Sequence, residues 1–298
     1  MEQNVLHITG FDEAPPRVSA FKRFSRVFLR RKVVAFGLII ISMLIVVAIF
    51  APWIAPYDPY ELDLKNIRAE PGRAHLLGTD TLGRDTLTRI MYGSRTSLII
   101  GVVAIGVAAT IGMSLGLVAG YFGGIVQTLI MRFIDAMMSI PMILLALTIS
   151  ALLGPGLKNI VIALGVSMIP PYARLMCGQA MSVKQHDFVA FARAIGASDV
   201  RIMAQHIAPN CFPPLIVLMT MTLGHAILAE AGLSFLGVGI NPPNAAWGAM
   251  VSDGYRYLLT SPVLSLAPGV AIMLTVFAFN MVGDGLRDAM DPRLRGRL

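Results

Sequence analysis

Three ionisable side chains lie inside or beside long apolar runs of this chain: Asp135 in IMRFIDAMM, and His225 and Glu230 in LGHAILAEAGL. A charge at the centre of a bilayer costs roughly 2.5–3.5 kcal/mol on insertion scales, so such groups face a cavity or a partner, and can bind ions or relay protons. Asp135 falls close enough to one end of its run to be interfacial, and Glu230 lies toward the far end of its own, near the segment that carries Trp247. A pathway role and a structural or gating role both remain open for these residues. Phosphoryl chemistry lacks its parts, because a phosphate-cradling loop needs Gly-Lys followed by Ser or Thr. None of the five lysines, Lys22, Lys32, Lys65, Lys158 and Lys184, follows a glycine. A serine-nucleophile elbow and an HExxH zinc pair are not expected, and the five histidines are scattered. The chain reads as no enzyme, with no metal or cofactor of its own.

A second stretch invites a different chemistry, that of docking. FVAFARAIGASDVRIMAQHIAPN, residues 188–210, is polar and broken although long apolar runs flank it. Its first part reads as a short helix in which Ala190, Ala192 and Ala194 leave Phe191 little surrounding bulk. Gly196 ends that helix, since glycine takes a positive φ at no steric cost. Ser198 or Asp199 then caps a second helix whose Val200, Met203, Ala204 and Ile207 follow the i, i+3, i+4, i+7 rule, and Pro209 closes the segment. An amphipathic loop resting on the bilayer surface is the competing reading.

The elements that must position these residues are membrane spans. With 56% hydrophobic and 14% charged residues and a mean hydropathy of +0.72, the 298-residue chain has too little polar surface to coat a soluble globule. Six runs are long enough to cross, at about 33–55, 97–120, 131–154, 159–178, 211–236 and 263–284. A net charge of +7 could suggest nucleic acid, but the basic residues flank apolar runs, so they report topology. Placing both termini in the cytoplasm puts 16 of the 24 lysines and arginines inside and eight outside, led by Lys22, Arg23, Arg26, Arg30, Arg31 and Lys32 before the first span. That span starts late and is expected to stay uncleaved. The first external loop carries six basic and six acidic residues, the balance of a small folded or docking element. Cys177 and Cys211 fall near cytoplasmic ends and read as small hydrophobes. Pro141, Pro170, Pro171, Pro213 and Pro214 mark kinked helices, and Gly112 with Gly116 at GxxxG spacing marks a close crossing.

The segment at 188–210 resembles the EAA loop of ABC importer permeases, with Ala192, Gly196 and Pro209 matching and Ala190, Phe191 and Ala208 departing from the pattern. HLLGTDTLGRDTLTRIMYGSRTSLIIG (75–101), EAGLSFLGVGINPPNAAWGAM (230–250) and FNMVGDGLRDAMDPRLR (279–295) resemble the dipeptide, oligopeptide and nickel permease family. The short connection between the first two spans is similar to that of the shorter, C-type dipeptide permease. The resemblance implies an all-α membrane protein with six transmembrane helices in the type I ABC importer arrangement, in the prokaryotic inner membrane.

It further implies a longer partner permease, two ABC ATPase subunits that hold ATP and Mg, an extracytoplasmic solute-binding protein, surrounding lipid and no nucleic acid. The expected organisation is a cytoplasmic segment 1–32, a first span 33–55, an external loop 56–95, a core 96–284 containing the coupling loop 179–210, and a tail 285–298. Ala190, Phe191, Ala192, Arg193, Gly196, Ala197, Ser198 and Pro209 are the expected ATPase-coupling residues. Gly78, Asp80, Arg84, Asp85 and Trp247 are expected to shape an external gate, in which His75–Arg95 meets Gly237–Trp247. Di- and oligopeptides are the first expectation for the substrate. Nickel or glutathione carried by the same kind of permease is the alternative, followed by an ion-coupled secondary transporter.

Overall fold

The computed structural model describes residues 28, 31–240 and 242–290. The basic cluster at 22–30 and the last eight residues of the tail lie outside that range. Among the described residues there are helices and one isolated bridge, Thr79 to Asp85, but no strand. In chain order the helices are α1 (Lys32–Ile54), α2 (Thr86–Phe122), α3 (Gly124–Met138), α4 (Met142–Leu153), α5 (Leu157–Ser167) and α6 (Ile169–Val183). They continue with α7 (Asp187–Ala194), α8 (Asp199–Phe235), α9 (Trp247–Tyr255) and α10 (Val263–Met290). Five helical stretches are long and apolar enough to cross a membrane, α5 and α6 counting as one, and a sixth follows if the bent pair α3 and α4 is one span.

The sequence-derived spans find their helices, with three differences in shape. First, α2 starts at Thr86 rather than near 97, because Asp85 caps it by accepting from the Thr88 N–H at 2.8 Å. At 37 residues and 1.5 Å per residue it is about 55 Å long, more than a bilayer is thick. Second, the span at 131–154 is two helices bent by 86°, the break falling at Ser139–Pro141. Proline lacks an N–H and crowds the preceding carbonyls, so the chain restarts as a new helix after it. Third, Pro209 does not close the 188–210 segment. α8 runs through it from Asp199 to Phe235, with a π-helical turn at Ile202–Ile207 just before the proline. The widened turn inserts one residue where the proline ring would otherwise meet the turn below.

The centre of the bundle is the crossing of α2 with α6. A Cβ on Gly112 would stand 2.7 Å from the Ile169 carbonyl oxygen and from Tyr172 Cβ; one on Gly116 would stand 2.3 Å from the Ala173 oxygen; one on Gly120, 2.6 Å from the Cys177 oxygen. The two backbones therefore touch along three successive turns, a packing that only small residues permit. The letters GxSxG occur here as well, at 112–116, but in mid-helix, where Ser114 Oγ donates to the Thr110 carbonyl at 2.7 Å; this is no nucleophile elbow. α1 rides on the outside. It buries Val34 and Gly37 against α10, is joined to the end of α10 by Arg31 and Asp288 at 2.5 Å, and exposes Phe36, Ile39 and Met43.

Gly116→Val should lower the stability of the detergent-solubilised protein by about 1–3 kcal/mol, as overpacking of a closed contact does. Gly106→Ala, on the same helix with open space at its Cβ, should leave it unchanged or raise it by up to about 1 kcal/mol. Thermal unfolding monitored by helicity checks both, and equal behaviour of the two variants would contradict the seam.

Candidate coupling surface, outer vestibule and membrane-embedded charges

α7 and the start of α8 form a helix, glycine, helix element at the end of the bundle that the charge count assigns to the cytoplasm. Gly196 has φ +83°, and its N–H and that of Ala197 return to the carbonyls of Arg193 and Ala192, closing the helix end. Val189 and Ala192 face inward and pack with Tyr121, Ile202 and Ile207. The opposite side is apolar yet uncovered: Phe191 is 68% exposed, Ile195 69% and Val200 70%. Ala190, Arg193, Ser198 and Pro209 are exposed beside them.

What fastens this element is a residue that sequence reasoning passed over. Tyr121, buried at the end of α2, donates its hydroxyl to the Asp199 carboxylate and accepts from Arg193 Nη2 at 3.4 Å. Lys184 Nζ donates to the Tyr121 carbonyl at 2.5 Å, and Lys184 and Arg193 lie 5.4 and 5.9 Å from the centre of its ring. The hydrogen bond to the Tyr121 hydroxyl pushes the Arg193 guanidinium further up from its already high value. Asp199 thus holds Tyr121 rather than capping a helix, and Ser198, at the N-cap position, makes no side-chain cap bond. An aromatic pair before Gly-Gly at a span end was the only trace of this clamp in the sequence.

At the other end of the bundle, the loop between α1 and α2 is built around Asp80. Its Oδ1 accepts from the Leu82 and Arg84 N–H groups at 2.8 and 3.0 Å, and its Oδ2 meets Arg84 Nε at 2.7 Å and Arg89 Nε at 3.5 Å. Asp85 caps α2 and meets His75 Nδ1 at 3.0 Å. Gly78 and Gly83 carry positive φ, and a Cβ on Gly83 would fall 1.9 Å from the Asp63 carbonyl oxygen. Trp247 fastens the start of α9 to α2 by donating Nε1–H to the Ile90 carbonyl at 2.9 Å, its ring seated over Gly93. Arg89 Nη1 reaches the carbonyls of Pro59 and Pro243 at 2.9 and 3.3 Å. His75–Arg95 and the segment ending at Trp247 therefore do meet, but Arg84 and Asp85 are buried in intramolecular bonds rather than presented outward.

The three membrane-embedded ionisable residues are not brought together. Glu230 is fully buried and accepts from Ser234 Oγ at 2.7 Å and Ser97 Oγ at 3.4 Å. His225 is exposed and lies 3.2 Å from the Met221 carbonyl. Asp135 pairs with Arg174 Nη2 at 2.6 Å. α3 begins at Gly124 rather than near 131, so Asp135 stands about 17 Å along it. No group of three potential metal-ligating side chains occurs among the described residues.

Two predictions follow from these contacts. Gly196→Val should unfold the α7 end by about 1–3 kcal/mol through its left-handed backbone. Gly196→Asn, whose side chain tolerates that region and meets open space, should be close to neutral; protease nicking at 185–200 discriminates the two. Asp80→Ala should cost about 3–5 kcal/mol because it removes the carboxylate in contact with buried Arg84 and Arg89, leaving only Asp253 facing them. Retention of the full thermal stability by that variant would contradict the network.

The family model for the binding-protein-dependent transport system inner membrane component matches residues 112–296, and that for the N-terminal TM domain of oligopeptide transport permease C matches residues 19–71. A protein of Brucella suis named as a peptide transport system permease is 43% identical over 91% of each chain. A glutathione transport system permease protein of Escherichia coli is 44% identical over 92% of this chain and 90% of the relative. A chain of the inward-facing MetNI methionine ABC transporter superposes with a TM-score of 0.53 at 20% identity, covering 68% of this chain and 96% of that one, and so shares the fold. The chain is a multi-pass membrane protein that belongs to the family of binding-protein-dependent transport system inner membrane components, in its dipeptide and oligopeptide permease branch.

Proposed function

We propose that this chain is the shorter permease of an ATP-driven importer of di- and oligopeptides in the bacterial inner membrane. It pairs with a longer permease, receives solute from an extracytoplasmic binding protein and borrows its energy from two separate ATPase subunits that hold ATP and Mg. The observation that carries this reading is the uncovered apolar face of Phe191, Ile195 and Val200 on a segment clamped to the bundle through Tyr121. An exposed aromatic ringed by small residues is the usual anchor for a partner groove. Arg193, Ala190, Ala197 and Ser198 form its rim, and Gly196 and Pro209 set its shape.

The chain supplies no chemistry to ATP, because no glycine precedes any of its lysines. Its work is conformational. Shifting an access equilibrium from 1:99 to 99:1 takes about 5.5 kcal/mol of differential binding, which the ATPase subunits can deliver only through a surface that the bundle follows rigidly. The buried network around Asp80 and the seat of Trp247 suit a preformed vestibule against which the binding protein docks and solute is released.

Glutathione is the second reading, favoured by the 44% identity to a glutathione permease; as a modified tripeptide it presents the same kind of charged ends. Family membership takes away the ground for the ion-coupled alternative.

Reconstituted with its partners in vesicles, the chain should support peptide uptake that requires ATP and binding protein. An imposed pH gradient should drive none; gradient-driven uptake without ATPase subunits would overturn the reading. Phe191→Asp, at an exposed position, should leave the fold intact and lower either co-purification of the ATPase subunits or uptake per ATP by at least about tenfold, the loss expected of an interface anchor.

A further inference from the structure

Lipid-facing helix surface in this chain has a clear appearance on α1, where the exposed residues include Phe36, Ile39, Met43 and Phe50. α3 departs from it. Thr128, Arg132, Asp135 and Ser139 recur at steps of four, three and four, the spacing of one helical face, and all four are exposed. The adjacent face of the same helix carries the exposed apolar residues Ile125, Leu129 and Phe133, so the polar residues form a stripe rather than a scatter. Beside that stripe α6 turns outward the face opposite its glycine seam. Arg174 meets Asp135 there at 2.6 Å with the two side chains 54% and 49% exposed, and one turn further on Gly178 has open space at its Cβ.

Depth makes the stripe costly if it faces lipid. Asp135 lies eleven residues from the start of α3 at Gly124, and Arg174 nine from the end of α6 at Val183, which is about 17 and 14 Å at 1.5 Å per residue. Two helices thus agree in setting the pair two to three turns in from the same end of the bundle, among apolar faces. Half-exposed charges set among such faces are satisfied by water or protein, not by acyl chains.

We propose that this face lines the translocation pathway and that Asp135 and Arg174 form a transit site for a zwitterionic solute. The inference rests on the importer reading above and goes further by naming the site and what it recognises. With no solute present the two side chains neutralise each other. A molecule with a free ammonium and a free carboxylate exchanges one ion pair for two of the same kind, its carboxylate on the planar fork of Arg174 and its ammonium on Asp135. A singly charged molecule that engages one member leaves the other without a partner, at a cost that selects against it, and a neutral molecule leaves the pair closed.

Two measurements on the assembled complex in vesicles test this. Ser139→Cys and Gly178→Cys should react with a membrane-impermeant methanethiosulfonate at least about ten times faster than Ile39→Cys on the lipid face, above the background of the buried Cys177 and Cys211. Equally slow reaction at all three, in a complex shown intact by co-purification, would place the stripe in a dry seam and overturn the proposal. The second measurement compares ATP-driven uptake of trialanine, N-acetyl-trialanine and trialanine amide, each delivered by saturating loaded binding protein. The unsubstituted complex should prefer the free peptide. Asp135→Asn should abolish the preference over the acetylated form and Arg174→Gln the preference over the amide. Preferences that are absent from the start, or unmoved in the variants, would overturn the assignment of solute. Failure of all ATP-driven uptake in the unsubstituted complex would instead count against the importer reading, while the labelling result still decides the pathway.

Discussion

The close approach of α2 and α6 through Gly112, Gly116 and Gly120 is the constraint on which the remaining features depend. In lipid, helices gain nothing by hiding apolar surface from each other, so association rests on packing at short range, and a run of missing side chains is what lets two backbones meet. That contact fixes the rotation of α6. Tyr172, Ala173, Met176 and Ala180 are turned onto α2 and buried, and Arg174 and Gly178 are turned away from it. It also fixes the inner end of α2, where Tyr121 stands ready to receive Asp199, Arg193 and Lys184. One crossing therefore orients the Asp135–Arg174 pair and seats α7 with the start of α8.

Several of the charged groups among the described residues are held by specific partners. The outer loop collects Asp80, Arg84, Asp85 and Arg89 into one buried network that caps and braces the start of α2. Glu230 is wrapped by two serine hydroxyls where α8 meets α2, beside the Trp247 contact with Gly93. The clamp at Tyr121 uses the remaining kind of site, a span end where lysine and arginine can lie over an aromatic face and still reach water. Apolar surface follows the complementary rule. It is exposed along α1 and again on α7 and the start of α8, where Phe191, Ile195 and Val200 form one uncovered apolar face.

Hydropathy and basic-residue placement made the spans legible, since both are read one residue at a time. The Gly112 and Gly116 spacing foretold a close crossing, and Gly196 a break, because each reflects a local requirement for a missing Cβ. Where the sequence misled, the deciding contact was distant. α2 extends outward to Thr86 because Asp85 and the Asp80 network stabilise polar turns that hydropathy counts as loop. α8 passes through Pro209 because the preceding turn widens, which no propensity at 209 alone reveals. The pairing of Asp135 with Arg174 spans 39 positions, and that of Tyr121 with Asp199 spans 78, so neither residue's role could be seen from its neighbours.

The central claim is that α7 and the α2–α6 pair move as one body, so that force applied at the docking surface reaches the membrane-embedded charges. Spin labels at Phe122→Cys, on the end of α2, and Asp187→Cys, at the start of α7 and off its apolar face, report on it by their distance distribution in the assembled transporter with and without nucleotide. The account predicts one narrow distribution that nucleotide does not shift, with Tyr121→Phe broadening it. A distribution in the clamped, unsubstituted protein that moves or splits on nucleotide binding would mean that the docking element swings independently of the bundle, contradicting the account.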